Sequence, residues 1–154
     1  VLADIAAHVI EEMEPGVLYL FGSGKTTQAI LDELHLKSTL LGVDAVVDEQ
    51  VIASDLSESD IWALLQEYEE AYAVVSVMGG QGHIFGRGNQ QFSPRILTAL
   101  GKEHFYVVTT KTKLVGLEGR PLVIDSSDVE LDRRWAGTQT VITGYHDQVV
   151  YPII

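Results

Sequence analysis

Apolar residues at Leu2, Ile5, Ala6, Val9, Ile10 and Met13 recur at helical spacing, so the chain opens on an amphipathic helix that Pro15 and Gly16 end. Val17 to Phe21 is a short apolar run of strand length, and Gly22 to Thr27 then turn into a helix with Ala29, Ile30 and Leu34 on one side. Thr39 to Val43 reads as the next strand, closed by Asp44. Val46 and Val47 face Val51 to Ala53 across the polar pair Asp48 and Glu49, the pattern of a hairpin. Ser57 and Asp60 form a capping-box-like pair ahead of a helix that turns Ile61, Leu64, Leu65 and Tyr68 inward and leaves Glu67, Glu69 and Glu70 to solvent. Tyr72 to Val77 and Phe105 to Thr109 are further strands, and Leu122 to Ile124 a third, ending at Asp125. Ser126 and Ser127 suit the start of a short helix containing Val129 and Leu131, and Val141 to Thr143 with Gln148 to Ile153 make a terminal hairpin around Gly144 and Tyr145. Strands alternating with helices predict an α/β fold: an open, mainly parallel sheet with helices on both faces and a C-terminal antiparallel hairpin, one domain over residues 1–154.

Between Tyr72–Val77 and the following helix lies GGQGHIFGRGNQQFSPRIL, Gly79 to Leu97, which holds five of the fourteen glycines. Ser93 is the expected N-cap, Pro94 the first helical residue and Gly101 the residue past the helix end. Strand, glycine loop and helix in succession suit an anion, because glycines let backbone amides approach a ligand and a helix N-terminus favours negative charge. Gly79, Gly80, Gln81, Gly82, Arg87, Asn89 and Arg95 are the candidate phosphate contacts of this stretch.

The turn after the first strand, Gly22, Ser23, Gly24, Lys25, Thr26 and Thr27, is a second candidate cradle. It fits two phosphate motifs imperfectly. The P-loop pattern needs a glycine where Tyr19 stands, and the dinucleotide pattern needs its third glycine where Thr27 stands. Asp44 does fall about 20 residues on, where the dinucleotide fingerprint expects an acid. A plain strand-to-helix turn served by Thr26 or Thr27 is the alternative. Asp44 and Asp125 each end a predicted strand, where a carboxylate can hold a ribose or a magnesium ion, or simply cap the next turn.

Charge sharpens this picture. Ten Lys and Arg against twenty-two Asp and Glu give a formal charge of -12, which argues against nucleic acid or an anionic membrane as partner. Five of the ten cations, Lys25, Arg87, Arg95, Lys111 and Lys113, follow predicted strands or begin the next helix, so an acidic protein gathers half its positive charge on the expected ligand edge. The chain has no cysteine, which fits the cytoplasm, and no apolar run of the roughly 20 residues a membrane helix needs. His8, His35, His83, His104 and His146 show no ligand spacing, so no metal site is expected; His83 is singled out only by its place in the glycine loop. There is no GxSxG for a serine nucleophile.

Together YLFGSGKTTQAILDEL, TLLGVDAVV, GGQGHIFGRGNQQFSPRIL, VVTTKTKL, LVIDSSDVELD and VITGYHDQVV resemble the C-terminal portion of the AcoX-like family of predicted ATP-NAD kinases, from about Tyr19 to Val150. The resemblance implies a parent enzyme that transfers a phosphoryl group from ATP or polyphosphate, with Mg2+, to the 2′-hydroxyl of the NAD adenosine ribose. It implies NAD or another nucleotide as the partner, and a homo-oligomer is compatible with it. The catalytic Gly-Gly-Asp-Gly-Thr motif of NAD kinases is absent here, Gly79 and Gly80 being followed by Gln81, so no catalytic residue is carried over. The expectation is therefore a C-terminal fragment, inactive alone, of a longer enzyme. A noncatalytic sensor domain for a phosphorylated metabolite is the alternative, and an oligomerisation domain a third reading.

Overall fold

A computed structural model describes residues 1–39, 41–86 and 89–154. Helix α1 (Leu2–Glu12) precedes β1 (Leu18–Phe21) and α2 (Lys25–Glu33); a hairpin of β2 (Asp44–Val47) and β3 (Gln50–Ala53) follows, then α3 (Glu58–Glu67) and β4 (Ala71–Ser76). The second half runs through α4 (Pro94–Leu100), β5 (Phe105–Val108), α5 (Lys111–Val115), α6 (Val129–Trp135), β6 (Gly137–Gly144) and β7 (Asp147–Ile153). One seven-stranded sheet results, in the order β3-β2-β1-β4-β5-β6-β7. Its centre, β1-β4-β5-β6, is parallel, whereas the β2-β3 hairpin on one margin and β7 on the other are antiparallel. This is the predicted α/β sheet, with an antiparallel margin on each side.

Strand alternation sends side chains to two cores. Leu18 and Leu20 of β1 join Ala73, Val75 and Val107 beneath α3, α4 and α6, where Ile61, Ile96, Leu97, Leu131 and Trp135 pack. Tyr19 and Phe21, with Val74 and Val108, meet Ile5, Val9, Ile30 and Leu31 of α1 and α2 on the other side. Central strands buried on both faces read as unbroken apolar runs, which is why β1, β4 and β5 were visible in the sequence. In the β2-β3 turn, Asp48 and Glu49 both carry positive φ, 51° and 59°, the mirror-image geometry that a two-residue hairpin requires.

Three expectations are corrected. Thr39–Val43 does not form a strand among its described residues; Asp44 instead opens β2, opposite Phe21. The reason is its carboxylate, which accepts bonds from the Thr39 amide (2.7 Å), the Thr39 hydroxyl (2.5 Å) and the Asp55 amide (3.0 Å), tying Asp44 to Thr39 and Asp55. Leu122–Ile124 makes only isolated bridges, to His83 and to Ile153, and lies outside the main sheet. The cap of α6 is Asp128, which accepts from the Glu130 and Leu131 amides, while Ser126 donates its hydroxyl to Asp132.

Helices α3 and α4 are tied at their first turns. Ser57 and Asp60 complete the capping box, and Ser93 caps α4 through the Ile96 amide. Glu58 accepts from the Ser93 hydroxyl (2.5 Å) and from Nε and Nη2 of Arg95 (both 2.7 Å), and the guanidinium lies over the Trp62 ring at 4.4 Å. The Arg95 bonds, then the Ser93 bond, hold the Glu58 carboxyl down at about 2. A depressed carboxylate pKa adds stability that is full above the unfolded value, near 4.5, and is lost as pH falls through about 2. Glu58→Gln should therefore lower the urea midpoint at pH 7, with the deficit closing between about pH 4.5 and 2. Ser93→Ala should cost about 0.5–2 kcal/mol by chemical denaturation.

Candidate functional site

Strands β1 and β4 are parallel neighbours, but the connections on either side diverge: β2 and β3 lie beyond β1, and β5 to β7 beyond β4. Strand order thus reverses between β1 and β4, and in open α/β sheets ligands bind at the carboxyl ends of strands at such a point. Both glycine stretches leave the sheet there. The Gly22 amide still donates to the Val74 carbonyl of β4 (2.9 Å), so the first loop begins one residue past its strand.

The two loops are knit together. Asn89 is fully buried; its Oδ1 accepts from the Ser23 amide (3.2 Å), with the Ser23 hydroxyl at 3.4 Å, and its Nδ2 donates to the Ile84 carbonyl (3.3 Å). Ser76, the last residue of β4, donates its hydroxyl to the Ser23 carbonyl (3.2 Å). The glycines are required by this contact. A Cβ on Gly22 would stand 2.7 Å from Asn89 Oδ1, and one on Gly24, whose φ is 124°, would overlap Ser76 Oγ. Thr27, also buried, turns its hydroxyl back to the Gly22 carbonyl (2.7 Å), so it locks the turn rather than facing a ligand.

Helix α2 begins at Lys25 behind Gly24, which supplies no side-chain cap, and its first intrahelical bond at the turn is Gln28 amide to Gly24 carbonyl. The amides of Lys25, Thr26 and Thr27 precede that bond and lack an intrahelical acceptor. By contrast α3, α4, α5 and α6 are each capped by a side chain, from Ser57, Ser93, Thr110 and Asp128. No acid lies in the first turn of α2, and Lys25 is exposed and in no ion pair among the described residues. The arrangement can receive negative charge.

The second loop folds back on itself, Met78 and His83 exchanging backbone bonds of 2.6 and 3.0 Å around Gly79–Gly82. Arg120 clamps this turn: its Nη2 donates to the Gly80 carbonyl (3.3 Å), its Nη1 to Gln81 (3.4 Å) and its Nε to the Leu117 carbonyl (2.8 Å). Val123 donates to the Gly82 carbonyl and accepts from Ile84, while Leu122 exchanges backbone bonds with the chain end, donating to Pro152 and accepting from Ile154. Gly86 packs on the Asp125 backbone, where a Cβ would fall 2.6 Å from the Asp125 carbonyl oxygen. That places exposed Asp125 beside the loop. His83 Nδ1 is buried without a partner among the described residues.

The remaining sequence candidates divide by their partners. Arg95 is committed to Glu58, and Asp44 is 1% exposed and filled by its own loop, so both serve the scaffold. Lys111 pairs with Asp147 at 2.6 Å. Lys113 is in no ion pair among the described residues and lines a cavity with Gly80, Thr110 and Thr112, so the loop after β5 reaches the same edge. Arg87 lies outside the described residues. Sequence reasoning passed over Ser76 and Arg120; a serine ending an otherwise apolar strand was a signal for the first, and Arg120 carried none.

An α/β domain with two interlocked glycine loops at its switch point is the class these observations define. The chain matches the model of the ATP-NAD kinase C-terminal domain over residues 15–153, and it belongs to that family. No curated protein and no solved structure matches it.

Asn89→Ala would remove two buried hydrogen bonds, from the Ser23 amide and to the Ile84 carbonyl, at a cost of about 1–3 kcal/mol. Urea denaturation should show that loss, and amide exchange should speed up at Ser23 and Ile84 before the rest of the sheet.

Proposed function

We propose that this chain is the nucleotide-binding C-terminal portion of an ATP-NAD kinase-like enzyme of the AcoX-like kind. In this reading the parent moves the terminal phosphoryl group of ATP, or of polyphosphate, onto the 2′-hydroxyl of the NAD adenosine ribose. Membership of the ATP-NAD kinase C-terminal domain family supports the enzyme class. The observation that carries the site is the start of α2: amides without a side-chain cap and a Lys25 in no ion pair among the described residues, held beside β4 by the Asn89–Ser23 and Ser76–Ser23 bonds. Phosphate oxygens would take those amides and the Lys25 ammonium, with Gly79–Gly82 as the facing wall. Asp125, exposed beside Gly86, would offer its carboxylate to a ribose hydroxyl or to a magnesium ion carried by the nucleotide. Among the described residues no three His, Asp or Glu side chains cluster to hold a metal on their own. No described helix is long and apolar enough to cross a membrane, and a cytoplasmic setting belongs to the proposal.

The 154 residues contain no Gly-Gly-Asp-Gly-Thr, which favours a second reading, a noncatalytic sensor of a phosphorylated metabolite. A calorimetric panel of NAD, ATP and sugar phosphates separates the two: preference for NAD or ATP supports the kinase portion, preference for a sugar phosphate the sensor. Lys25→Met should weaken nucleotide binding about tenfold, the effect of losing roughly 1.4 kcal/mol from one charged contact. Phosphoryl transfer needs donor, metal and acceptor placed together. The chain alone should accordingly leave NAD unconverted in a coupled NADP assay, and turnover by a preparation free of other kinases would overturn the assignment of catalysis to another part of the enzyme.

A further inference from the structure

We propose a phosphoryl-group subsite between the Gly79–Gly82 turn and α5, with Lys113 as its cation. It is separate from the crevice at the start of α2, and in taking its occupant to be another group of the same nucleotide it rests on the proposed function. The cavity measures about 360 Å³ and is lined by Gly80, Thr110, Thr112, Lys113, Gly116 and Leu117. That is within the range of small-molecule sites, about 300–1,000 Å³.

Its charge is what distinguishes it. On a chain of formal charge -12 this lining holds a lysine and no carboxylate. The larger cavity under α1 sets Glu12 and Glu103 against Lys102, the one beside the β6–β7 turn sets Asp4 and Asp147 against Lys111, and two at the amino edge of the sheet carry at least two acids each. Neighbouring Lys111 is neutralised by Asp147, whereas Lys113 has no ion-pair partner among the described residues. An ammonium kept clear of carboxylates keeps its field for an incoming anion, where a paired one does not.

The donors match a phosphate. Thr110 accepts from the Lys113 amide (3.1 Å) through its oxygen, which leaves its hydroxyl hydrogen to donate, and Thr112 brings a second hydroxyl. The Gly80 carbonyl, an acceptor that would repel an anion, is already taken by Arg120, which also adds a positive charge nearby. Nothing lies within 4 Å of the position a Cβ would occupy on Gly80, so a ligand can reach the backbone there.

The test is an amide-resolved NMR titration of the chain with orthophosphate and with tripolyphosphate, at constant ionic strength, with chloride as control. Shifts that saturate at Gly80 and Thr110–Gly116 are expected, distinct from those at Gly22–Thr27. Lys113→Met should raise the phosphate concentration needed at Thr110–Gly116 about tenfold and leave Gly22–Thr27 unchanged, while Lys113→Arg retains the response. Saturation by tripolyphosphate at least tenfold below orthophosphate assigns the site to the end of a phosphate chain, and equal saturation assigns it to a single phosphoryl group. The proposal is overturned if Thr110–Gly116 stays silent, if chloride reproduces the shifts, or if Lys113→Met leaves them intact. Response at Gly22–Thr27 alone removes this subsite and keeps the crevice; response at Thr110–Gly116 alone does the reverse. The wild-type map and Lys113→Arg decide the matter even if Lys113→Met fails to fold.

Discussion

The buried carboxamide of Asn89 is the constraint on which the rest of the ligand edge depends. It gives an acceptor to one loop, at Ser23, and a donor to the other, at Ile84, so one side chain couples the two loops and moving either breaks a buried bond. Only a side chain with both a donor and an acceptor can do this at one position. Around it the glycines follow by exclusion, since Gly22 has no room for a methyl group beside that oxygen. The loops are thereby held in place before any ligand arrives, which reduces the ordering that binding must supply.

Electrostatics then separates scaffold from site. Arg95 and Lys111 each have a carboxylate at 2.7 and 2.6 Å, and their charge is used within the protein. Lys25 and Lys113 stand past the ends of parallel strands in no ion pair among the described residues, and they flank the Gly79–Gly82 turn from the β1 and β5 sides of the sheet. Lys37, Lys102, Arg120 and Arg134 are likewise in no ion pair among the described residues, so it is the place of Lys25 and Lys113 at the carboxyl ends of β1 and β5, and not the lack of a partner alone, that marks them.

Features decided by local chemistry were legible in the sequence. Ser57 with Asp60, and Ser93 with Pro94 and Gly101, mark helix ends because cap and partner lie within one turn. Apolar runs such as Ala71–Ser76 declared the buried centre of the sheet. Features decided at a distance were not. Thr39–Val43 has strand composition, yet Thr39 is held by the Asp44 carboxylate, which reaches five residues back and eleven forward. Arg95 stands at a helix start after a glycine loop, where a phosphate contact is expected, but the acid that claims it is 37 residues earlier in the chain. Asn89 was recognisable as part of the glycine stretch, though nothing in the one-dimensional pattern shows that its amide faces inward to Ser23, 66 residues away.

The backbone bonds that join Gly82 and Ile84 to Val123, and Leu122 to Pro152 and Ile154, make the ligand edge a matter of contacts between segments far apart in the chain. Residues 79–84 lean on the strip around Leu122–Ile124, and that strip is in turn steadied by residues 152–154. Each such contact closes a long loop before it gains a bond, so it forms late in folding. The parallel centre of the sheet can thus be built while the ligand edge is unfinished, and binding competence arrives with the last of these contacts.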